Sequence, residues 1–302
     1  MILFTQYMIR FTFLYPVFKM TGFSLQLNEG YYFMFCFAFV CMAAGGYIIN
    51  DYSDVNIDKI NKPGKVIIGK EIAAEQALRL YWVFSIVGIA LGIYAAYKIR
   101  LPGLGLLFFI YLSGLWFYST SLKYIFLIGN FVIAVFLALV PFIAGLIELY
   151  TDVSNPYFGN SNVNMSFLLY GITGISVFAF LINLAREIVK DMEDVEGDKV
   201  AGCRTLPIVL GIKATKNVVW FIMILVISLS AYVEYKAFDV NDWYTLVYIA
   251  GFIDVPVLVS LTKLKSANTP AEFHKVSGMI KWLMVLGICY LFVFTFICLH
   301  SV

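Results

Sequence analysis

The chain has few charged residues and no long polar segment. Asp, Glu, Lys and Arg make up 13% of its 302 residues, whereas hydrophobic residues make up 62%. This composition excludes an ordinary soluble domain and indicates an integral membrane protein, for which we expect no nucleic-acid partner. Because a Pro/Ser-rich linker and a low-complexity tract are also lacking, the sequence predicts one membrane domain over residues 1–302.

Cysteine and histidine are scarce. The five cysteines are odd in number and most lie in apolar segments, and the two histidines, His274 and His300, are far apart in sequence. These counts do not favour a disulfide framework, and the spacing lacks any Cys or His pattern typical of a metal site.

Apolar stretches of membrane-spanning length recur along the whole chain. A helix needs roughly 20 apolar residues to cross a bilayer, and this recurrence favours a helical bundle over a β-barrel. The fold class is therefore predicted as all-α, a polytopic bundle around a central cavity. About nine spans are predicted, at roughly 2–18, 31–49, 77–97, 103–120, 125–147, 166–188, 215–234, 243–262 and 279–299.

The distribution of Lys and Arg predicts the orientation of the bundle. Most of these residues lie in the connections after the second, fourth, sixth and eighth spans, whereas the opposite connections hold Lys19, Lys98, Arg100 and Lys236. By the positive-inside rule the first group of connections faces the cytoplasm. We expect a protein of the cell inner membrane.

An acidic stretch, "NDYSDVNID", follows the second span directly. If the helix continues into it, Asn50, Asp54 and Asp58 lie at i, i+4 and i+8 on one face. Like charges at this spacing destabilise a helix, and the cost grows beside a low-dielectric membrane. A cationic partner is therefore expected at this face.

A second acidic stretch, "DMEDVEGD", follows the sixth span and opens on the same side of the membrane. Asp191, Asp194 and Asp198 lie at i, i+3 and i+7, again on one helical face. Glu193 and Glu196 alternate with these acids and are expected to face solvent. Each acidic stretch precedes a basic loop with Pro and Gly, so the chain has a faint two-fold repeat that would enclose one central cavity.

Oxygen ligands at this density suit a hard divalent ion. Mg²⁺ usually takes one or two carboxylates and completes its shell with water and phosphate oxygens. The paired stretches therefore predict a metal-bridged phosphate or diphosphate.

The two stretches resemble the Asp-rich signatures of the UbiA superfamily of intramembrane prenyltransferases. "NDYSDVNID" is similar to its NDxxDxxxD motif and "DMEDVEGD" to its second motif, with "YSTSLKYIFLIGN" after the fourth span. The resemblance covers nearly the whole chain. It implies Mg²⁺-dependent transfer of a polyprenyl group from a prenyl diphosphate to a lipophilic acceptor. The active site would face the cytoplasm, and the protein would be surrounded by membrane lipid.

The resemblance also implies roles for particular residues. Catalytic roles fall to Asp54, Asp58, Asp191, Asp194 and Asp198, and Asn50 would join these five as Mg²⁺ ligands. Substrate contacts would come from Asn50, Asp51, Tyr118, Lys123, Asn130 and Arg204.

Within the superfamily the motifs are most similar to the digeranylgeranylglyceryl phosphate synthase-like subgroup. This similarity implies geranylgeranyl transfer to geranylgeranylglyceryl phosphate in ether-lipid synthesis, with prenylation of a quinone precursor, chlorophyllide or haem as alternatives. A transporter with acidic ion sites is a second class, but it would need acids at mid-membrane. A CDP-alcohol phosphotransferase is disfavoured because its single continuous motif is absent.

Three further polar residues lie inside predicted spans. In the family the first span carries a basic or polar substrate-binding position, and only Gln6 and Arg10 are available for it here. Asp254, before Pro256 in the eighth span, has either a functional role or a partner in a basic residue or helix terminus.

Overall fold

The computed structural model describes residues 1–22, 24–62, 64, 66–153 and 163–300. Within these ranges the chain is helical, and the only β-type pairing is an isolated bridge between Ile68 and Ile72. The helices are α1 (2–20), α2 (Glu29–Asn61), α3 (Ala74–Lys98), α4 (Gly105–Thr120), α5 (Ile128–Val153), α6 (Met165–Glu193), α7 (Val195–Val200), α8 (Leu206–Asp239), α9 (243–266) and α10 (Pro270–His300).

Eight helices in the described part of the chain are long and apolar enough to cross a membrane. They are α2 to α6 and α8 to α10, and α1 adds a ninth helical segment of similar length. Helical backbone satisfies its own hydrogen bonds, which is the requirement that a bilayer imposes. The predicted all-α bundle with about nine spans is confirmed.

The apolar core is divided between two halves of the bundle. One cluster of buried side chains comes mainly from α2 to α5, and a second comes mainly from α6 and α8 to α10. A third cluster joins α1 to α5, α6 and α10. Because α2 and α6 are separated by three helices of alternating direction, both end at the same end of the bundle, which we call the motif end.

Helix α1 contains a π-helical segment, Ile9–Leu14, between two α-helical segments. Pro16 lacks the N–H that would bond the Thr12 carbonyl in a regular helix. The Thr295 hydroxyl of α10 donates to that carbonyl instead, at 2.8 Å. The last helix thus satisfies a polar group that proline leaves open in the first.

Arg10 of α1 forms a buried ion pair with Glu148 of α5. The Arg10 Nε lies 3.2 Å from Glu148 Oε2, and the two side chains are 4% and 0% exposed. The guanidinium also donates to the Leu27 carbonyl and lies over the Tyr32 ring. Glu148 is eighteen residues beyond Asn130 on α5, roughly 27 Å away at 1.5 Å per residue. Arg10 therefore holds the bundle together far from the acidic motifs.

Asp254 of α9 has polar partners within the membrane, but neither is basic. It ends a π-helical segment, Ala250–Asp254, that precedes Pro256. The Ser230 hydroxyl of α8 donates to Asp254 Oδ1 at 2.5 Å, and the Glu234 carboxyl group shares a hydrogen bond with the Asp254 carboxyl group. Of the alternatives that the sequence left open, a basic partner is not found among the described residues, and a hydroxyl and a second carboxyl group contact this acid instead.

Candidate active site

The first motif lies on one face of the last turns of α2, as the spacing predicts. Helix α2 continues to Asn61, so Asn50, Asp54 and Asp58 belong to one uninterrupted helix. The Asn50 amide donates to Asp54 Oδ2 at 3.0 Å. Lys123, from the short 3-10 turn after α4, lies 2.6 Å from Asp54 Oδ1 and 3.3 Å from Asn50 Oδ1. The motif therefore carries its own cation.

Asp51 lies at the edge of this face, close enough for the charges of Asp54 and Lys123 to act on it. Its side chain is exposed, whereas those of Asp54 and Asp58 are partly buried. Asp58 faces Asp54, Lys62 and Asp194 closely enough for their charges to act on it. The structure thus brings Asp58 to both motifs and leaves Asp51 at the surface.

The second motif does not lie on one continuous helix, and that expectation is wrong at Asp194. Helix α6 ends at Glu193, Asp194 is its C-terminal cap, and α7 restarts at Val195. In a continuous helix the Gly197 N–H would donate to the Glu193 carbonyl. It donates instead to the side chain of Asn61 at 2.8 Å. An interaction between distant segments thus replaces one helical hydrogen bond.

Asp191 is held from α5. The Asn130 amide donates to Asp191 Oδ2 at 2.8 Å, and Asn130 itself is buried. Tyr118, near the end of α4, is close enough to Asp191 for the carboxylate charge to act on its hydroxyl. Two polar residues of "YSTSLKYIFLIGN" therefore lie against the second motif, while Lys123 of the same stretch lies against the first.

The two motifs meet directly at the motif end. Lys62 Nζ at the end of α2 lies 2.7 Å from Asp194 Oδ2. Asn61 donates through its Nδ2 to the Asp194 carbonyl at 3.0 Å. The first-motif helix therefore contacts the helix junction of the second motif through two successive residues.

Asp198, on α7, completes the second motif. The Thr205 hydroxyl donates to its Oδ2 at 3.4 Å. Burial, together with the charges of Asp194 and Asp54, raises the pKa of Asp198 to about 7. Arg204, two residues before α8, has an exposed side chain at this end of the bundle, and its N–H donates to the Tyr124 carbonyl.

Two glutamates near the second motif have basic side chains as partners. Glu187 is buried between Arg186 and Lys190, at 2.9 and 3.0 Å. Glu193 lies 3.0 Å from His274 at the start of α10, and its side chain is only 11% exposed. The expectation that Glu193 faces solvent is wrong, whereas Glu196 is exposed as predicted.

The acids are suited to a divalent ion, although lysines neutralise part of their charge. Among the described residues, no three His, Cys, Asp or Glu side chains already converge at ligand distance. Asp54 and Asp194 each have a lysine ammonium at hydrogen-bond distance, which takes the place that a metal cation would occupy. The buried Oδ1 of Asp194 accepts no hydrogen bond within the described part of the chain. A buried carboxylate oxygen without a donor fits a cation.

An apolar groove of about 240 Å³ lies between α5 and α6. Its α6 wall includes Phe180 and Val177, and Phe180 is eleven residues, or three helical turns, before Asp191. The groove therefore lies on the acidic face of α6, displaced toward the middle of the membrane.

Comparison with known proteins identifies the family. The model of the UbiA prenyltransferase family matches residues 20–284. The chain belongs to the UbiA prenyltransferase family. This UbiA-family protein is accordingly an integral membrane enzyme that transfers a prenyl group.

Relatives of this UbiA-family chain carry a more specific name. The digeranylgeranylglyceryl phosphate synthase of Sulfolobus acidocaldarius is 32% identical over 84% of this chain and 81% of its own length. The protein of the same name from Methanosphaera stadtmanae is 31% identical over 80% of each chain.

Solved UbiA-family structures share the fold. A digeranylgeranylglyceryl phosphate synthase structure covers 94% of this chain and 92% of its own, with a TM-score of 0.58 and 24% identity. A UbiA homologue from Archaeoglobus fulgidus, bound to DMAPP and Mg²⁺, covers 94% of this chain and 97% of its own, with a TM-score of 0.53 and 16% identity. At these identities the likeness shows the fold alone.

Several residues of this UbiA-family site escaped sequence reasoning. Asn61 and Lys62 join the motifs, and Thr205 reaches Asp198. Asn61 was detectable, because it lies at i+3 from Asp58 and extends the polar stripe of α2 by one turn. His274 lacked such a signal, since it reaches Glu193 from another helix.

Proposed function

We propose that this UbiA-family chain transfers a geranylgeranyl group from geranylgeranyl diphosphate to geranylgeranylglyceryl phosphate, with Mg²⁺ as cofactor. The observation that carries the proposal is the meeting of the two acidic motifs, which Lys62 and Asn61 join to Asp194. The choice of donor and acceptor is supported by the relatives named digeranylgeranylglyceryl phosphate synthase.

The proposed Mg²⁺ ligands are carboxylate and amide oxygens. They comprise Asn50, Asp54 and Asp58 on α2, and Asp191, Asp194 and Asp198 on the second motif. The open Oδ1 of Asp194 supports this assignment. The solved homologue from Archaeoglobus fulgidus is bound to Mg²⁺ together with a prenyl diphosphate. Bound Mg²⁺ would supply positive charge that stabilises the diphosphate leaving group.

The chain's own cations and amides would bind the donor's diphosphate between the motifs. Lys123 and Arg204 are proposed to contact phosphate oxygens, and Lys123 is already positioned against Asp54. Asn130 would hold Asp191 in one orientation, since its amide donates to that carboxylate. Tyr118 lies beside the same carboxylate, and exposed Asp51 is proposed to support the first motif from outside.

Transfer breaks the allylic C–O bond, and the diphosphate leaves with the bonding electrons. The acceptor hydroxyl oxygen then forms the new C–O bond, and its proton passes to an oxygen of the departed diphosphate. Positive side chains stabilise the departing charge most strongly in the transition state. The apolar walls of the groove that includes Phe180 would exclude water from the reactive allylic carbon.

We also propose that the motif end faces the cytoplasm of a cell whose inner membrane holds the protein, with residues 1–302 forming one domain. The excess of Lys and Arg in the connections at this end supports the orientation. The position of the acids argues against the transporter alternative, because Asp54 and Asp58 lie in the last two turns of α2 rather than at mid-membrane.

The test is a transfer assay on purified protein in detergent. Labelled geranylgeranyl diphosphate and Mg²⁺ are offered with geranylgeranylglyceryl phosphate, 4-hydroxybenzoate, dihydroxynaphthoate or haem B, and products are identified by mass spectrometry. We expect a metal-dependent adduct with geranylgeranylglyceryl phosphate. An adduct with a different acceptor alone would overturn the substrate, and failure to bind the diphosphate at all would overturn the proposed chemistry.

A further inference from the structure

Asp194 occupies the N-cap position of α7 but does not cap that helix. An N-cap Asp ordinarily accepts a hydrogen bond from the N–H of the second or third helical residue. Its side chain makes no such bond here. The third helical residue, Gly197, donates its N–H to Asn61 Oδ1 at 2.8 Å. The Asn61 side chain of α2 thus caps α7 in place of Asp194.

The same asparagine also contacts the backbone of the cap residue. Asn61 Nδ2 donates to the Asp194 carbonyl at 3.0 Å, so the one amide group bonds both sides of the α6–α7 junction. The next residue, Lys62, pairs with Asp194 Oδ2, while the buried Oδ1 of Asp194 accepts no hydrogen bond from the residues that the structure describes. The Asp194 carboxylate is therefore directed away from its own helix and toward the first motif.

Gly197 is required by this arrangement. A Cβ built on Gly197 would lie 2.5 Å from Asn61 Nδ2 and 2.6 Å from Asn61 Oδ1, which is closer than van der Waals contact allows. The backbone of α7 can approach the amide this closely only because residue 197 has no side chain.

We infer that Asn61 is a positioning residue that caps α7 from α2 and thereby frees the Asp194 carboxylate for the metal that would hold the diphosphate. This inference rests on the proposed function. If Asn61 is shortened, the Gly197 N–H loses its acceptor, and the nearest replacement is the Asp194 carboxylate itself, in the ordinary N-cap arrangement. Asp194 would then cap its own helix at the expense of the cation.

The experiment measures binding rather than turnover. Full-length protein in detergent is titrated calorimetrically with geranylgeranyl thiolodiphosphate, a donor analogue that resists cleavage, at a series of Mg²⁺ concentrations. For Asn61→Ala we expect the Mg²⁺ concentration that gives half-maximal binding to rise about tenfold, the size expected for loss of one helix cap. A loss of folded protein alone would reduce the amount that binds without moving that concentration.

The matched control is Asn56→Ala, which removes an exposed asparagine of the same helix whose Oδ1 lies 3.5 Å from Lys59. It should leave the Mg²⁺ dependence at the wild-type value. Gly197→Ala disrupts the same contact between Asn61 and the backbone of α7, but by changing the residue on α7. It should raise the half-maximal Mg²⁺ concentration as Asn61→Ala does. In the double variant Asn61→Ala/Gly197→Ala, the Asn61 amide that the new Cβ would clash with is absent. The effects of the two substitutions on the half-maximal Mg²⁺ concentration should therefore not add.

The outcomes separate the inference from the function on which it rests. If the wild-type protein binds the analogue without any dependence on Mg²⁺, the proposed function fails whatever the variants do. If the wild-type protein requires Mg²⁺ and both Asn61→Ala and Gly197→Ala keep its Mg²⁺ dependence, the function stands and the capping role of Asn61 is overturned. Should Asn61→Ala not fold, Gly197→Ala decides alone.

Discussion

The ammonium group of Lys123 lies 2.6 Å from a carboxylate oxygen of Asp54, although the two residues are 69 positions apart in sequence. Their side chains are only 11% and 18% exposed. A pair this shielded from water interacts strongly, and the loss of one partner leaves the other charge uncompensated. The turn after α4 therefore contributes a residue, Lys123, to the site that the first acidic motif of α2 forms.

Replacement of Lys123 by Gln should reduce turnover and should also lower the unfolding temperature, because the Asp54 carboxylate is left uncompensated. The positive charge that faces Asp54 would no longer assist the departing diphosphate, and loss of one such group typically lowers kcat by about 10²-fold. Steady-state transfer rates and thermal unfolding in detergent measure the two effects separately.

Lys59→Gln provides the comparison for Lys123, because Lys59 is an exposed lysine on the same helix as Asp54. We expect its transfer rate to stay within about twofold of wild type, as for most exposed substitutions. Equal rates for the Lys123 and Lys59 variants would show that the contact with Asp54 has no part in transfer.

The Arg10–Glu148 pair should contribute to stability and not to chemistry. Removal of one member of a buried ion pair costs about 3–5 kcal/mol, since the remaining charge stays buried. Arg10→Met should therefore lower the unfolding temperature clearly, and the addition of Glu148→Leu should restore part of it. The folded fraction should keep its kcat, so a large fall in kcat with unchanged thermal stability would contradict this account.

Asp254 should tolerate conversion to Asn. The amide oxygen can still accept from the Ser230 hydroxyl, and the change leaves the acidic motifs untouched. Transfer rates of Asp254→Asn should remain within about threefold of wild type, the variation expected for a near-isosteric change outside the site. A loss of two orders of magnitude would assign this intramembrane acid a functional role.

The helix count and the first motif could be predicted because they depend on local pattern. Apolar stretches of spanning length indicate membrane helices, and the i, i+4, i+8 spacing of Asn50, Asp54 and Asp58 needs only one continuous helix, which α2 provides. The same reasoning failed at Asp194. At the break between α6 and α7 the Gly197 N–H bonds the Asn61 side chain, a residue 136 positions away, instead of a carbonyl of its own helix.

The partners of buried charges were the other part that could not be predicted. Arg10 and Glu148 are 138 positions apart and meet only because α1 packs against α5. His274 similarly contacts Glu193, a residue that helical periodicity alone predicted to face solvent. Helical spacing predicts which face a residue occupies, whereas the neighbour on that face is decided by helix packing.

The most direct test of the two-motif account is the rate of geranylgeranyl transfer by Asp54→Asn and Asp194→Asn, measured with Mg²⁺ and again after chelation and resupply. We expect each substitution to lower turnover by about 10²- to 10³-fold while the protein remains folded, and exposed Glu196→Gln to match wild type. Chelation should abolish wild-type transfer and added Mg²⁺ should restore it. Wild-type rates in either Asp variant, or transfer that survives chelation, would contradict the account.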